Sequence, residues 1–456
     1  MPAKVLGQDS GEIHHSSKAK AQPQRILLLL FAVLFPAIVA FGILYREAPS
    51  VPYQDDYGAI LAFAADYQQL PTAQAKVLDI ATKQSNEYKL GFEHFVVASE
   101  LELTRHLNFA FLTALGNLFL LLIGYLLWLT YRKDEGPLAR RLLEFLPISL
   151  FFFALSYWEN LDWAMTGLQN IPVIFFSLLA IYFLTPRKVS EPGRTHLLLA
   201  CLAAALAAFS SANGFLLGPV GLLILLPRRA YAKSLAWCAS FLLPLAAYLY
   251  HYTPTGHPYH KFFYLTRPIF FLAFLGCVIP FRFLAAMLGT LLFIIFLLSV
   301  RSRYHRTHPA AFYFAVWVVA TGFLVAWVRG AVAFTIASRY SIYSNLMLIF
   351  CYAFLSHYLP GRSSIFSRRR LYVSSVVIAA FICLMADLNA YKKLEARRRM
   401  ILSGIEWYRA RPEVNSPMVD PLVEQVIPEE KAAEKAILTQ AIQKRIYSLP
   451  PKQEIR

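Results

Sequence analysis

The sequence predicts an all-α polytopic membrane protein with about eleven transmembrane helices. Three observations point to that class. Hydrophobic residues make up 57% of the 456 positions. They gather in runs about as long as a bilayer core requires, roughly 20 residues, whereas a transmembrane barrel would show alternating segments of about 10. The formal charge is +17, and the cations sit in short connections between the runs, in every second loop, as loops retained in the cytoplasm do. That placement excludes nucleic acid as the partner of the charge and suits an anionic inner leaflet.

Residues 1–25 read as a polar cytoplasmic leader. The run from Ile26 to Tyr45 is longer than a signal-peptide core and has no small-x-small cleavage site after it, so it reads as a retained span. Residues 46–106 are too polar to cross a bilayer and form a long outer loop that ends in an interfacial helix. Further spans are expected at 107–128, 142–157, 166–184, 196–210, 214–227, 234–252, 283–300, 310–328, 341–358 and 371–389. Ser210-Ser211-Ala212-Asn213-Gly214 supplies a tight turn between two short spans. Pro280-Phe281-Arg282 divides the apolar stretch from 268 to 300, leaving 269–279 as an interfacial or re-entrant half-helix. Residues 26–390 thus form the membrane domain, and residues 391–456 a small outer tail with helical tracts at 392–411 and 429–447.

The alternation of loop charge puts the N-terminus in the cytoplasm and the C-terminus outside. Its supports include Arg132, Lys133, Arg140 and Arg141, then Arg187, Lys188 and Arg194, then Arg228, Arg229 and Lys233, then Arg301, Arg303 and Arg306. One group resists: Lys392, Lys393 and Arg397 to Arg399 follow the last span on the outer side. The chain has no Asn-x-Ser/Thr sequon with x other than Pro, which favours a bacterial inner membrane over a secretory lumen. The five cysteines lie in apolar stretches without a CxxC pair and read as small buried hydrophobes.

The most informative polar feature is Tyr53-Gln54-Asp55-Asp56-Tyr57, an acidic pair just outside the first span. A positioned carboxylate can take a proton from an attacking hydroxyl, and two adjacent acids can divide roles because one raises the pKa of the other. Asn86-Glu87-Tyr88-Lys89, Trp158-Glu159-Asn160-Leu161-Asp162-Trp163, and Ser338-Arg339-Tyr340 fall on the same side, as do Arg329, Arg282, His94, His257, His260 and Lys261. Arginines at a membrane edge hold phosphate through charge-assisted, bidentate hydrogen bonds. Carboxylates facing guanidinium groups therefore suit transfer of a group from a lipid phosphate. The histidines lack metal-ligand spacing. No motif identifies a cofactor, although the acidic pair could hold a divalent metal. Asp387, inside the last span, has no evident role. P-loop, GxGxxG, HExxH and GxSxG motifs are absent.

Taken in order, Asp55-Asp56, Asn86-Glu87-Tyr88-Lys89, Trp158-Glu159-Asn160 and Ser338-Arg339-Tyr340 resemble the outer-face motifs of bacterial integral-membrane glycosyltransferases of the GT-C fold class, which use polyprenyl-phosphate-linked sugars. Related proteins often read Asn-Glu-His-Arg where this chain has Tyr88 and Lys89. The resemblance implies that Asp55 or Asp56 is the base and that Arg339, with Arg329 or Arg282, holds the donor phosphate. It implies Glu87, Lys89, Glu159, Asn160 and Tyr340 as substrate contacts, and a glycan, lipid or protein acceptor. A transporter or flippase of a lipid-linked glycan would use the same cations without a base, but it requires polar residues deep in several spans, and these are few. A non-catalytic scaffold would act through the tail.

Overall fold

A computed structural model describes residues 12–48, 51–131, 136–186, 192–254, 266–329, 336–358, 365–410 and 428–450. Within them lie seventeen α-helices and one short hairpin. In chain order these are α1 (Glu12–Glu47), α2 (Phe63–Tyr67), α3 (Ala73–Thr82), strands β1 (Gln84–Ser85) and β2 (Tyr88–Lys89), and α4 (Gly91–Thr104). Then come α5 (Phe109–Tyr131), α6 (Leu138–Phe153), α7 (Ala164–Leu184), α8 (Arg194–Ser210), α9 (Leu217–Leu225), α10 (Tyr231–Ala239) and α11 (Leu242–Leu249). The last are α12 (Arg267–Leu275), α13 (Arg282–Arg301), α14 (Pro309–Arg329), α15 (Ser341–Tyr358), α16 (Ile365–Ala410) and α17 (Pro428–Gln443).

The protein is an all-α integral membrane protein. Among the described residues, seven helical stretches are long and apolar enough to cross a bilayer: Pro23–Glu47, Phe109–Tyr131, Ala164–Leu184, Tyr231–Leu249, Arg282–Arg301, Pro309–Arg329 and Arg369–Glu406. The other expected segments coincide with α6, α8, α15 and the stretch around α9. α8 and the α9 stretch are shorter apolar helices that still expose leucines such as Leu198, Leu202 and Leu223, whereas most of α15 is buried. α7 and α16 mark the two extremes, with 72% and 11% of their apolar windows buried, so α7 is the central post and α16 lies at the edge. Leu and Phe side chains exposed on α1, α13 and α16 face hydrocarbon in such a fold.

Local sequence sets the breaks. Residues 210–214 form the expected reversal, with Gly214 N–H donating to the Ser211 carbonyl at 2.8 Å. A β-carbon on Gly214 would strike the backbone of Ala207. Residues 267–275 form a separate short helix, α12, folded back on α13. Their crossing is closed by Gly276 and Gly289, where a β-carbon on Gly289 would collide with the Leu272 carbonyl. Gly289→Ala is therefore expected to destabilise the fold by about 1–3 kcal/mol through forced separation of the two helices; the thermal midpoint of the purified protein measures it. Asp387 gains a role here. Its Oδ1 accepts the Leu155 N–H at 3.0 Å, at the start of the 3₁₀ turn Leu155–Asn160 that ends α6.

The tail is more than an appendage. A second apolar core joins residues 51–67 and 90–107 of the first loop to Trp163–Leu168 of α7's start and to Ile401, Ile405, Leu438, Ala441, Ile446 and Tyr447 of the tail. Leu107 N–H donates to the Ile446 carbonyl at 2.8 Å. The loop and tail thus build one cap at one end of the bundle. The resisting cations are accounted for in part. Arg397 donates to Asp162 Oδ1 at 2.8 Å, with side chains only 9% and 1% exposed, and stacks over the rings of Tyr53 and Trp158, 4.4 Å from each. It serves as an anchor of the cap.

Candidate functional site

The acidic pair lies on a tight turn. Gln54 takes a left-handed φ of 44°, and Asp56 N–H donates to the Tyr53 carbonyl at 3.0 Å. This geometry sends the two neighbouring carboxylates in opposite directions. Asp56 turns inward and is 1% exposed. Its Oδ2 accepts the Tyr53 N–H at 2.9 Å and its Oδ1 accepts the Met165 N–H at 2.8 Å. Burial pushes its carboxyl up to about 8, against the pull of those two hydrogen bonds. Asp56 therefore ties the turn to the start of α7. Glu93 of α4, also buried beside the pair, is raised well above the usual range by burial, with the two Asp charges adding to the effect.

Asp55 faces outward into a cavity of about 620 Å³. Its Oδ1 accepts from the Asn86 amide at 3.1 Å. Burial raises its pKa, while the Arg339 charge and the Asn86 hydrogen bond act to lower it. Glu87 and Tyr88, from the hairpin turn, line the same cavity. Arg329, the last residue of α14, pairs with the Glu87 carboxylate and donates to the Tyr88 hydroxyl at 2.7 Å. The hairpin is fixed in turn by Gln84, which exchanges hydrogen bonds with the Thr253 carbonyl and N–H at 2.7 and 3.1 Å.

Arg339 stands beside Tyr340 in the cavity wall. Glu159 Oε2 accepts its backbone N–H at 3.1 Å, and the Asn160 amide donates to its carbonyl at 2.8 Å. The 155–160 turn thereby grips the Arg339 backbone, while the guanidinium is hydrogen-bonded to the Tyr340 side chain, with its carbon 5.8 Å from the Trp163 ring centre. The remaining wall combines Gln169, Asn170 and Asn213 with Leu324, Val325 and Val328 of α14. The wall thus mixes polar and apolar side chains.

Of the residues singled out in the sequence, Asp55, Glu87, Arg329, Arg339 and Tyr340 meet at this cavity. Glu159 and Asn160 support it from behind. Lys89 is 5% exposed and donates to the Tyr250 carbonyl, and burial lowers its pKa; it secures the hairpin to the end of α11. Arg282 begins α13, which packs on α12, and does not belong to the cavity wall. His94 is buried and stacks on Phe63 with centroids 4.1 Å apart, and burial takes it down to about 3, so it packs as a neutral ring. His257, His260 and Lys261 lie outside the described residues. A metal at the acidic pair finds little to hold it: both Asp56 oxygens are taken by backbone N–H groups, and no group of three or more His, Cys, Asp or Glu side chains among the described residues could hold an ion.

Sequence reasoning missed Asn86 as the partner of Asp55, although it stood in a marked motif. It also missed Asn213, whose amide donates to the Tyr343 hydroxyl at 2.9 Å. The signal differed: Asn86 stood in a polar run next to Glu87, as a turn residue does, whereas Asn213 stood at the break between two apolar segments. No family model, curated protein or solved structure matches the chain.

Proposed function

We propose that the protein is an inverting membrane glycosyltransferase of the GT-C type. It moves a sugar from a polyprenyl-phosphate donor to a hydroxyl of a glycan, lipid or protein acceptor at the outer face of a bacterial inner membrane. The reading includes eleven spans, a cytoplasmic N-terminus and a periplasmic C-terminus. The observation that supports it best is the meeting of one outward-facing carboxylate, Asp55, with Arg339 and Arg329 in a single half-apolar cavity at one end of the bundle. The basic connections at 140–141, 228–233 and 301–306 belong to the opposite helix ends, in keeping with that orientation.

In the proposed step, Asp55 takes the proton of the acceptor hydroxyl as its oxygen attacks the anomeric carbon. The bond from that carbon to the phosphate oxygen breaks on the opposite face, which inverts the configuration. The electron pair leaves with polyprenyl phosphate, and Arg339 stabilises the resulting charge, a task that needs a cation more than a proton. Leu324, Val325 and Val328 offer an apolar wall to the first isoprene units.

Glycan profiling tests the reading. Cells lacking the protein are expected to lose one sugar from an envelope glycan and to accumulate the matching polyprenyl-phosphate sugar. An unchanged profile in both pools would remove the reading. The pH profile gives a finer check. A base of raised pKa loses activity as pH falls through that pKa, so the acid limb of kcat/KM is expected above the ordinary carboxylate range near about 4. Asn86 holds the Asp55 pKa down by donating to the carboxylate. Asn86→Ala will therefore move the acid limb upward; a downward move would mean that another group is titrating.

A further inference from the structure

A second cavity, of about 550 Å³, lies at the other end of the bundle. Its wall includes Arg301 and Ser302 at the end of α13, Thr307 and His308 before α14, and His357 and Tyr358 at the end of α15. α14 has 21 residues from this cavity's rim to Arg329, which separates the two sites by about 30 Å at 1.5 Å per residue. Nothing in the proposed transfer step uses it.

Its lining chemistry is one-sided. Among the described residues, none that lines it is acidic. The Arg301 guanidinium, a strong donor to an oxyanion, and the His308 and His357 imidazoles converge there, while the Ser302 and Thr307 hydroxyls donate to the Ser299 and Tyr304 carbonyls at 3.0 and 3.2 Å. The imidazoles of His308 and His357 lie face to face, 4.0 Å between centroids and 19° from parallel. Tyr304 bonds His357 Nδ1 at 2.9 Å, and Thr307 bonds His308 Nδ1 at 3.0 Å. These bonds orient both rings before any ligand arrives.

The apolar part of the wall shows where the cavity opens. Leu298 and Phe354 line it, and Leu297, Leu298 and Val300 are exposed on the last turns of α13. Those side chains mark the lipid-facing surface, and Arg301 marks its polar boundary. The volume falls within the roughly 300–1,000 Å³ of small-molecule sites. Basic pockets between transmembrane helices at such a boundary take phosphate headgroups.

We propose that this corner is a binding site for a phosphate-ester anion, reached from the lipid edge and separate from the acidic cavity. An anionic phospholipid headgroup and free phosphate share that chemistry, and binding measurements separate them. The delipidated full chain in detergent is titrated by native mass spectrometry with phosphatidylglycerol and, separately, with phosphatidylcholine of the same acyl chains. Inorganic phosphate binding is read in parallel by calorimetry. Phosphatidylglycerol is expected to bind about fivefold more tightly than phosphatidylcholine, the effect of one cation near an anionic headgroup. Arg301→Gln, an exposed substitution that spares the packing, is expected to remove that preference. Arg194→Gln, which deletes an exposed cation elsewhere at the same end of the bundle, is expected to leave it intact. Phosphate binding lost in Arg301→Gln, without a lipid preference, would support the site and name free phosphate as its ligand. Equal binding of the two lipids with no phosphate binding would overturn the proposal. So would equal weakening by both substitutions, which would show diffuse attraction to a basic face.

Discussion

Asp55→Asn is expected to fold like the wild type and to transfer sugar about 10²–10⁴-fold more slowly, the range for loss of a general base. Asp56→Asn will behave differently. Both oxygens of Asp56 accept backbone N–H groups, from Tyr53 and Met165. An asparagine can accept only one of them and turns its own N–H₂ toward the other donor. The unsatisfied N–H costs about 1–3 kcal/mol, so this variant will show a lowered thermal midpoint and reduced yield, with activity lost in proportion to folded protein. Turnover per folded molecule, measured beside thermal unfolding, separates the two cases. A well-folded, inactive Asp56→Asn together with an active Asp55→Asn would transfer the base to Asp56 and break the proposed geometry.

Arg397→Leu carries the second large expected effect. It strands the buried Asp162 carboxylate, and breaking a buried pair from one side costs about 3–5 kcal/mol. The loss will fall first on the cap, because Arg397 also sits against Tyr53 and Trp158. Hydrogen exchange over 428–450 is expected to rise, and limited proteolysis to cut there sooner. Removing both charges, in Arg397→Leu with Asp162→Asn, will recover a good part of the protection, since no unpaired charge remains. If the double variant is as exposed as the single one, stacking rather than ion pairing holds the tail. Tyr53 begins the acidic turn and Trp158 belongs to the turn that grips Arg339, so transfer activity will fall along with docking.

Much of the fold was legible because apolar runs of bilayer length leave few alternatives. The polar breaks at 210–214 and 280–282 were legible for the same reason, since Pro, Gly and Ser interrupt otherwise uniform stretches. The site was legible in its inventory but not in its division of labour. Asp55 and Asp56 are adjacent letters, and only the left-handed Gln54 decides which carboxylate faces the cavity. Glu159 and Asn160 looked like substrate contacts, yet they act on the Arg339 backbone, a distinction that spacing does not carry. Arg397 looked like a violation of loop charge because its neutralising partner, Asp162, is 235 positions away. The shared core of loop and tail was hidden for the same reason: each half is too small to show a core by itself, and neither reveals the other as its partner.

α16 runs unbroken from the membrane edge into the cap for 46 residues, and from Ile365 to Ser403 it contains neither glycine nor proline. A helix without a hinge transmits displacement along its axis. The depth at which the last span settles in the bilayer is therefore also the height at which Arg397 presents itself to Asp162, Tyr53 and Trp158. A bilayer thinner or thicker than the span prefers will tilt or shift it, and Arg397 will move with it against Tyr53 and Trp158. The last span and the cap anchor are thus one rigid piece, and the turns that carry the acidic pair and hold Arg339 rest against its end.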